Sequence, residues 1–427
     1  MSDTEIRMDK NLKGYLFIWF GQSISLLGSA IVQFAIIWWL TIETGSALIL
    51  SLATFAGFLP MVIISPFAGV LIDRWNRKVV LIGTDIFQAL ATLGLISLFF
   101  LDIVNILHVL ILLAIRGTCQ AFQMPASMSI ITLMVPENKI SRINALNSIL
   151  NSLVYIASPG IGAILLDFSI MQNILWLDVF TFIPAAVAII LVFIPVVKQV
   201  ASNDARPSFK TEFIEGIIYL KGSSILPLVI LGTVFNIFAN PLFSLLPLFI
   251  MQVHSGGSTE FAFTEMMFYA GLLSGSMFLV LWKNFTPKVS SWVVSIFLLS
   301  ISIILLALVP AGNFLLLGVI ILFAGVLVSL VDVQILSLFQ LTTPADLQGR
   351  VFSTAFMIIK SIYTVALIFI GVLAEMAGIP LLFIVFPVVT ILIMLVMVLK
   401  TPLMQLNGSN VSLSAGKTDS ETIPVMN

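Results

Sequence analysis

Charge is the scarcest thing in this chain. Asp, Glu, Lys and Arg make up 9% of it, against about 25% in an ordinary soluble domain. So little polar surface will not cover a water-soluble fold, and much of the chain must face lipid. The charges nearly cancel, to a net −1, which leaves no electrostatic footprint for a nucleic-acid partner. A single cysteine, Cys119, excludes a disulfide framework within the chain and a cysteine-rich metal site. The two histidines, His108 and His254, lie too far apart to give zinc-ligand spacing, so no metal is expected. A Ser/His/Asp set and a Walker-type G-x-x-x-x-G-K-[ST] loop are both missing. Neither an enzyme nor a self-contained ATP-driven pump is expected. No secretory signal stands out, because the first apolar run is longer than a signal h-region and reads as a retained span.

What the chain has instead is hydrophobic length. Apolar residues are 60% of it, gathered into twelve runs near 16–42, 46–71, 79–101, 105–134, 141–166, 171–195, 223–252, 261–282, 290–310, 313–340, 350–374 and 379–399. Each approaches or exceeds the roughly 20 residues that span a bilayer as a helix. They do not alternate polar and apolar residues, which excludes a barrel. The expectation is an all-α integral membrane protein with twelve transmembrane helices. The charged stretch 197–222 is the longest polar interruption and splits the runs six and six. The predicted units are an N-terminal segment 1–15, a six-helix bundle 16–196, a linker 197–222, a second six-helix bundle 223–400, and a tail 401–427. The Ser/Gly/Asn-rich composition of that tail predicts disorder.

The cations sort by loop. Arg116 and Lys360 fall deep inside runs; every other Lys and Arg falls before the first run, after the last, or in an even-numbered gap or at its rim, as Arg142 and Arg350 do. The odd-numbered gaps and their rims hold Glu43, Asp102, Asp167, Glu260 and Glu375 instead. The positive-inside rule then places both termini and the linker in the cytoplasm. Two of the cationic gaps resemble each other. "VPENKISRI" carries Pro136 and Arg142, and "TPADLQGRV" carries Pro344 and Arg350 at the same spacing. They occupy equivalent places in the two sets of six, which favours a duplicated, pseudo-symmetric pair of bundles around a central path.

The gap after the second run reads "GVLIDRWNRKVVL". Gly69, Leu71, Asp73, Arg74, Arg77, Lys78 and Leu81 match in register the G-x-L-a-D-R-x-G-R-[RK]-x-x-L signature. In it the chain resembles the major facilitator superfamily (MFS) of transporters. Asn76 stands where the family has glycine, a position that asparagine tolerates in the left-handed region. Physically, Asp73 is placed to accept from the N-terminus of a neighbouring helix, the best candidate being the eleventh, which starts near Arg350. Arg77 then has Glu137 as a candidate partner. These residues read either as a polar latch between the halves or as a positive-inside anchor.

"YIASPGIGA" in the fifth run is similar to the family's antiporter motif, with Pro159, Gly160 and Gly162 retained. It reads equally as a small-residue packing face. "AIRGTCQAFQMPA" in the fourth supplies Arg116, which fits the family's intramembrane arginine. Phrases along almost the full length resemble the macrolide-efflux branch of MFS drug:proton antiporters.

A charge buried in lipid costs about 2.5–3.5 kcal/mol even on the lenient scale. Asp85, Arg116, Asp178, Glu265, Asp332 and Lys360 are therefore candidates for proton coupling, or else static ion pairs. By depth, Asp332 suits Lys360 as a partner, Arg116 and Asp178 suit either a pair or a shared cavity, and the two aspartates Asp178 and Asp332 are the favoured proton carriers. For the substrate cavity the candidates are Gln33 with Gln22 and Ser25 in the first run, and Phe235, Asn236, Phe238 and Asn240 beside Pro241 in the seventh. A face of the fifth run adds Asn144, Asn147, Asn151 and Tyr155, at three- and four-residue spacing. The asparagines read either as ligand contacts or as interhelical glue.

What the resemblance implies is a secondary active exporter of lipophilic drugs such as macrolide antibiotics, by proton antiport with alternating access. It implies no cofactor beyond the proton gradient, a monomer, and the bacterial inner (plasma) membrane. An MFS exporter or importer of a natural metabolite such as a siderophore is the alternative. A receptor or scaffold without transport would leave the intramembrane charges unexplained.

Overall fold

The computed structural model describes residues 3–195, 209–223, 225–282, 285–344 and 347–405. All the regular structure among them is helical, and twelve helical segments are long and apolar enough to cross a membrane. The first six spans are α1 (Asp3–Thr44), α2 (Ala47–Arg74), α3 (Arg77–Phe100), α4 (Ile106–Met134), α5 (Glu137–Phe168) and α6 (Met171–Leu191). After α7 (Phe209–Gly222) the seventh span is broken. It consists of α8 (Leu226–Phe238), a 3₁₀ turn (Asn240–Leu245) and α9 (Leu246–His254). The last five are α10 (Ser258–Leu281), α11 (Val289–Ala307), α12 (Phe314–Thr342), α13 (Gln348–Ala377) and α14 (Ile379–Lys400). Helix α1 starts well before residue 16.

The break in the seventh span has a local cause. Pro241 and Pro247 sit at the starts of the 3₁₀ turn and of α9, and a proline removes one backbone donor and clashes with the preceding turn. By contrast α2, α4, α5, α6 and α14 carry internal prolines without ending, as membrane helices can. The stretch read as a linker is helical over its last part. Leu220 and Gly216 are buried there, with Phe213 and Ile217 half-buried. Those positions fall on one face at helical spacing, and α7 lays that face against α13.

Two bundles result. In the first, α1 packs on α5 and α6, α2 on α4, and α3 on α4 and α6; in the second, α10 packs on α12, α11 on α12 and α14, and α13 on α8. Close approach depends on small residues, since lipid gives apolar helices no hydrophobic reason to associate. A Cβ on Gly325 of α12 would sit 2.2 Å from the Phe268 carbonyl oxygen of α10. The bundles meet through α2 with α13 and α5 with α10, and through aromatic pairs. Phe34 stacks on Phe261 at 5.1 Å, Tyr155 on Tyr269 at 5.2 Å, and Phe58 meets Tyr363 edge-on at 5.5 Å. The outer surface is apolar: Leu90, Phe168, Val319 and Phe369 are all more than half exposed. So broad an apolar exposure belongs in lipid.

Crowding α10 against α12 with Gly325→Leu is expected to cost about 1–3 kcal/mol. A lower thermal unfolding midpoint of the detergent-solubilised protein checks it, and an unchanged midpoint would show that the two backbones are not in contact there.

Candidate functional site

The end from which α1 starts and at which α14 finishes is called proximal here, and the opposite end distal. A cavity of about 880 Å³ lies in the first bundle. It runs from mid-depth, at Arg116, Asp178 and Tyr155, to Thr132 and Ile140, which flank the proximal connection between α4 and α5. Its polar lining comes from α1, α3, α4, α5 and α6.

At the deep end is a buried ion pair. Arg116 Nη1 lies 3.0 Å from Asp178 Oδ2, and both side chains are 6% exposed. Their neighbours complete the shell. Thr92 of α3 donates to Asp178 Oδ2 (2.8 Å), Ser29 of α1 donates to Oδ1 (2.5 Å), and Arg116 Nη2 donates to the Ser29 carbonyl (3.1 Å). Four helices converge on one carboxylate. An incomplete shell around a buried pair costs several kcal/mol, and here both carboxylate oxygens and two guanidinium nitrogens are engaged. The depth argument for Arg116 and Asp178 therefore identifies a direct pair.

Asp85 differs. It stands seven residues before Thr92 on α3, about 10 Å along the helix toward the proximal end. It is buried and lines the same cavity. Gln22 Nε2 of α1 donates to Oδ2 (2.9 Å) and Gln123 Nε2 of α4 to Oδ1 (2.7 Å). Both partners are neutral amides, and among the described residues no cation contacts this carboxylate. The sequence marked Asp85 but not Gln123. The available signal was a second glutamine, three residues after Gln120, inside an apolar run.

The asparagine face of α5 points where its spacing put it. Asn144, Asn147, Asn151 and Tyr155 all line the cavity. Asn147 Oδ1 accepts from Trp19 Nε1, and Asn147 Nδ2 donates to Tyr15 Oη (3.4 Å). Asn147 therefore joins α5 to α1 as well as facing the cavity. Gln22 and Ser25 of α1 line it too, whereas Gln33 and the seventh-span candidates do not. Phe235 is buried and Phe238 meets Phe386 edge-on at 5.4 Å. Asn236 donates to the Gly232 carbonyl and Asn240 to Asn236. These amides bond to one another and to the backbone one turn back, and α8 packs on α13 and α14. Gln33 is half-buried outside the cavity wall.

The remaining charges are dispersed. Asp332 and Lys360 are both exposed and form no ion pair among the described residues, and Lys360 Nζ lies 5.8 Å from the Tyr363 ring centre. Glu265 is half-buried one turn from Tyr269, with neither a hydrogen bond nor an ion pair among the described residues. In α5, Pro159 and Gly162 are buried. A Cβ on Gly162 would meet the Phe34 ring at 2.6 Å, and one on Gly160 the Met266 sulfur at 3.1 Å. That stretch is a packing face toward α1 and α10.

Of the motif after α2, the side chains of Gly69, Asp73 and Arg74 lie outside the described residues. The rest is visible. Asn76 is in extended backbone (φ −70°) and caps α3, accepting from the Lys78 N–H at 3.0 Å. It is a capping residue rather than a left-handed one. Lys78 Nζ donates to the carbonyls of Ile190 (2.8 Å) and Val192 (2.9 Å), the orphan acceptors at the end of α6. Among the described residues, Arg77 Nε has no hydrogen-bond partner and no ion pair links Arg77 to Glu137. Arg350 pairs with Glu215 of α7 at 2.7 Å.

Comparison with known proteins follows the same lines. The Major Facilitator Superfamily model matches residues 18–363. The chain is 33% identical over 364 residues to the macrolide efflux protein A of Streptococcus pyogenes, covering 85% of this chain and 89% of that protein. The Enterococcus faecalis macrolide efflux protein A is 32% identical over 311 residues, covering 72% and 95%. Among solved structures, a bacterial homologue of the iron transporter ferroportin, in its inward-facing state, superimposes with a TM-score of 0.68 at 13% identity. That superposition covers 90% of this chain and 98% of the other.

Removing Arg116 alone leaves Asp178 buried without a counter-charge. Arg116→Ala is expected to destabilise the protein by about 3–5 kcal/mol, and the double variant Arg116→Ala, Asp178→Ala to recover part of that loss. Thermal unfolding of the four proteins in one cycle measures the coupling, and additive losses would show that the pair contributes nothing jointly.

Proposed function

Since the chain belongs to the Major Facilitator Superfamily of transporters, we propose that it is a secondary active exporter of lipophilic drugs, macrolide antibiotics foremost, driven by exchange for protons. The observation that carries this reading is the cavity. Its walls mix tyrosine and tryptophan rings, apolar side chains, three asparagines and a carboxylate that no cation neutralises. A large amphiphile takes such a site by apolar burial plus a few fixed hydrogen bonds. The names of the relatives supply the substrate class.

Proton coupling falls to Asp85 rather than to Asp178. Protonating Asp178 would strand Arg116 in a buried site, which is the costly half of breaking an ion pair. Protonating Asp85 removes a charge that has no counter-charge and leaves the two glutamine amides free to turn. With the cavity reaching the proximal end, Asp85 gives up its proton on that side and substrate enters. With the distal side open, a proton returns as substrate leaves. The Arg116–Asp178 pair holds the helices that frame this exchange. The sorting of the cations makes the proximal end cytoplasmic in a bacterial plasma membrane, and the working unit is a monomer.

The test is accumulation of a radiolabelled macrolide in cells with and without the protein. Expression is expected to lower accumulation, a protonophore to restore it, and Asp85→Asn to abolish export while the protein still reaches the membrane. Protonophore-insensitive export would overturn the antiport reading. Wild-type export by Asp85→Asn would remove Asp85 from the proton's route. A panel of lipophilic and metal-chelating substrates separates drugs from siderophores.

A further inference from the structure

The distal end carries polar contacts that the exchange at Asp85 does not use. Glu375, near the end of α13, accepts hydrogen bonds from Ser46 Oγ (2.5 Å) and from the Leu48 N–H (3.2 Å). Leu48 belongs to the first turn of α2, where backbone N–H groups have no partner inside the helix and the helix dipole favours an anion. A carboxylate of the second bundle thus caps a helix of the first. Two more bonds join the same bundles at the same end. Ser258 at the start of α10 donates to Asp167 at the end of α5 (3.2 Å), and Gln252 of α9 donates to the Gly45 carbonyl (3.0 Å). The packing is as close as the bonding. A Cβ on Gly371 would fall 2.8 Å from Ser51 Cβ and 2.9 Å from Leu48 Cα, so α13 reaches the first turn of α2 because that position has no side chain. At the proximal end of α13, Arg350 pairs with Glu215 of α7.

We propose that Glu375 is the gating residue of the distal end. Its carboxylate, seated on the N-terminus of α2, holds the two bundles together there while the cavity reaches the proximal end, and it must detach before the distal side opens. Asp167 and Gln252 add one bond each, against two at Glu375. Helices α2 and α13 run antiparallel, and α2 carries Asp73 at its own C-terminal end. This inference concerns the bundles themselves and depends on no particular substrate or coupling ion.

Spin labels at Ile103 and Leu315, distal positions 55% and 76% exposed in the first and second bundles, report the gate in a Cys119→Ser background. Distances are measured by pulsed electron resonance in detergent without ligand. Hydrogen bonds to a charged group correspond to roughly ten-fold or more in a population ratio. Glu375→Ala is expected to shift the ratio of long to short distances by about that factor, and Ser46→Ala, which removes a donor from the other side, to shift it the same way. Glu260→Gln is the control, because Glu260 accepts from the Gly257 N–H of its own helix and bridges nothing; its distribution is expected to stay as in the parent. Unchanged distances in both Glu375→Ala and Ser46→Ala overturn the proposal. So does an equal shift in Glu260→Gln, which would make the effect a general loosening of that end. Because no transport is measured, failure of the gate leaves the drug-export reading standing, and failure of export leaves the gate standing.

Discussion

A buried guanidinium in a lipid-embedded bundle must have its counter-charge within reach, and much of the first bundle answers that need. Arg116 is held by Asp178, and Asp178 by Ser29 and Thr92, so that α1, α3, α4 and α6 are fixed in rotation by one cluster. Apolar side chains against apolar lipid give little rotational preference, and a charge pair gives a strong one. Once α3 is turned to bring Thr92 to Asp178, Asp85 two turns away faces the same interior. The cavity wall is in this sense a consequence of the pair.

The two bundles divide the work unevenly. The hydrogen-bonded charge clusters of the cavity lie in the first, while Asp332 and Lys360 in the second stay accessible and out of ion-pair contact. The second bundle's contribution is at the boundary: α10 and α13 supply the glycine-lined and aromatic surfaces on which α5 and α2 rest. Those surfaces close the distal end, and the cavity extends the other way. An asymmetric pair of ends, one bonded and one hollow, is what rocking two bundles about a central site requires.

The charged motif that joins α2 to α3 has a static part. Lys78 caps α6 and Asn76 caps α3, both inside the first bundle, so they fix the local turn whatever the bundles do. Arg350, the other cation of the expected latch, is engaged by Glu215. Three of the five distal acids, legible in the sequence as orientation markers, turn out to be structural: Asp167 and Glu375 bridge the bundles and Glu260 caps α10.

The sequence alone determined everything that depends on local composition and period. Twelve apolar runs became twelve spans, Pro241 broke the seventh, and a three- and four-residue asparagine spacing put Asn144, Asn147, Asn151 and Tyr155 on the cavity, because helical geometry is fixed once the helix is. Tertiary structure decided the partners. That Gln22 and Gln123 clamp Asp85, that the seventh-span amides bond along their own helix, and that Glu375 finds α2 all depend on how helices rotate and tilt against neighbours far away in the chain. The pattern of a nearly uniform apolar helix carries almost no record of that rotation. Depth in the membrane brought two pairs of charges to notice, and the tertiary structure joined Arg116 to Asp178 but left Asp332 and Lys360 out of contact.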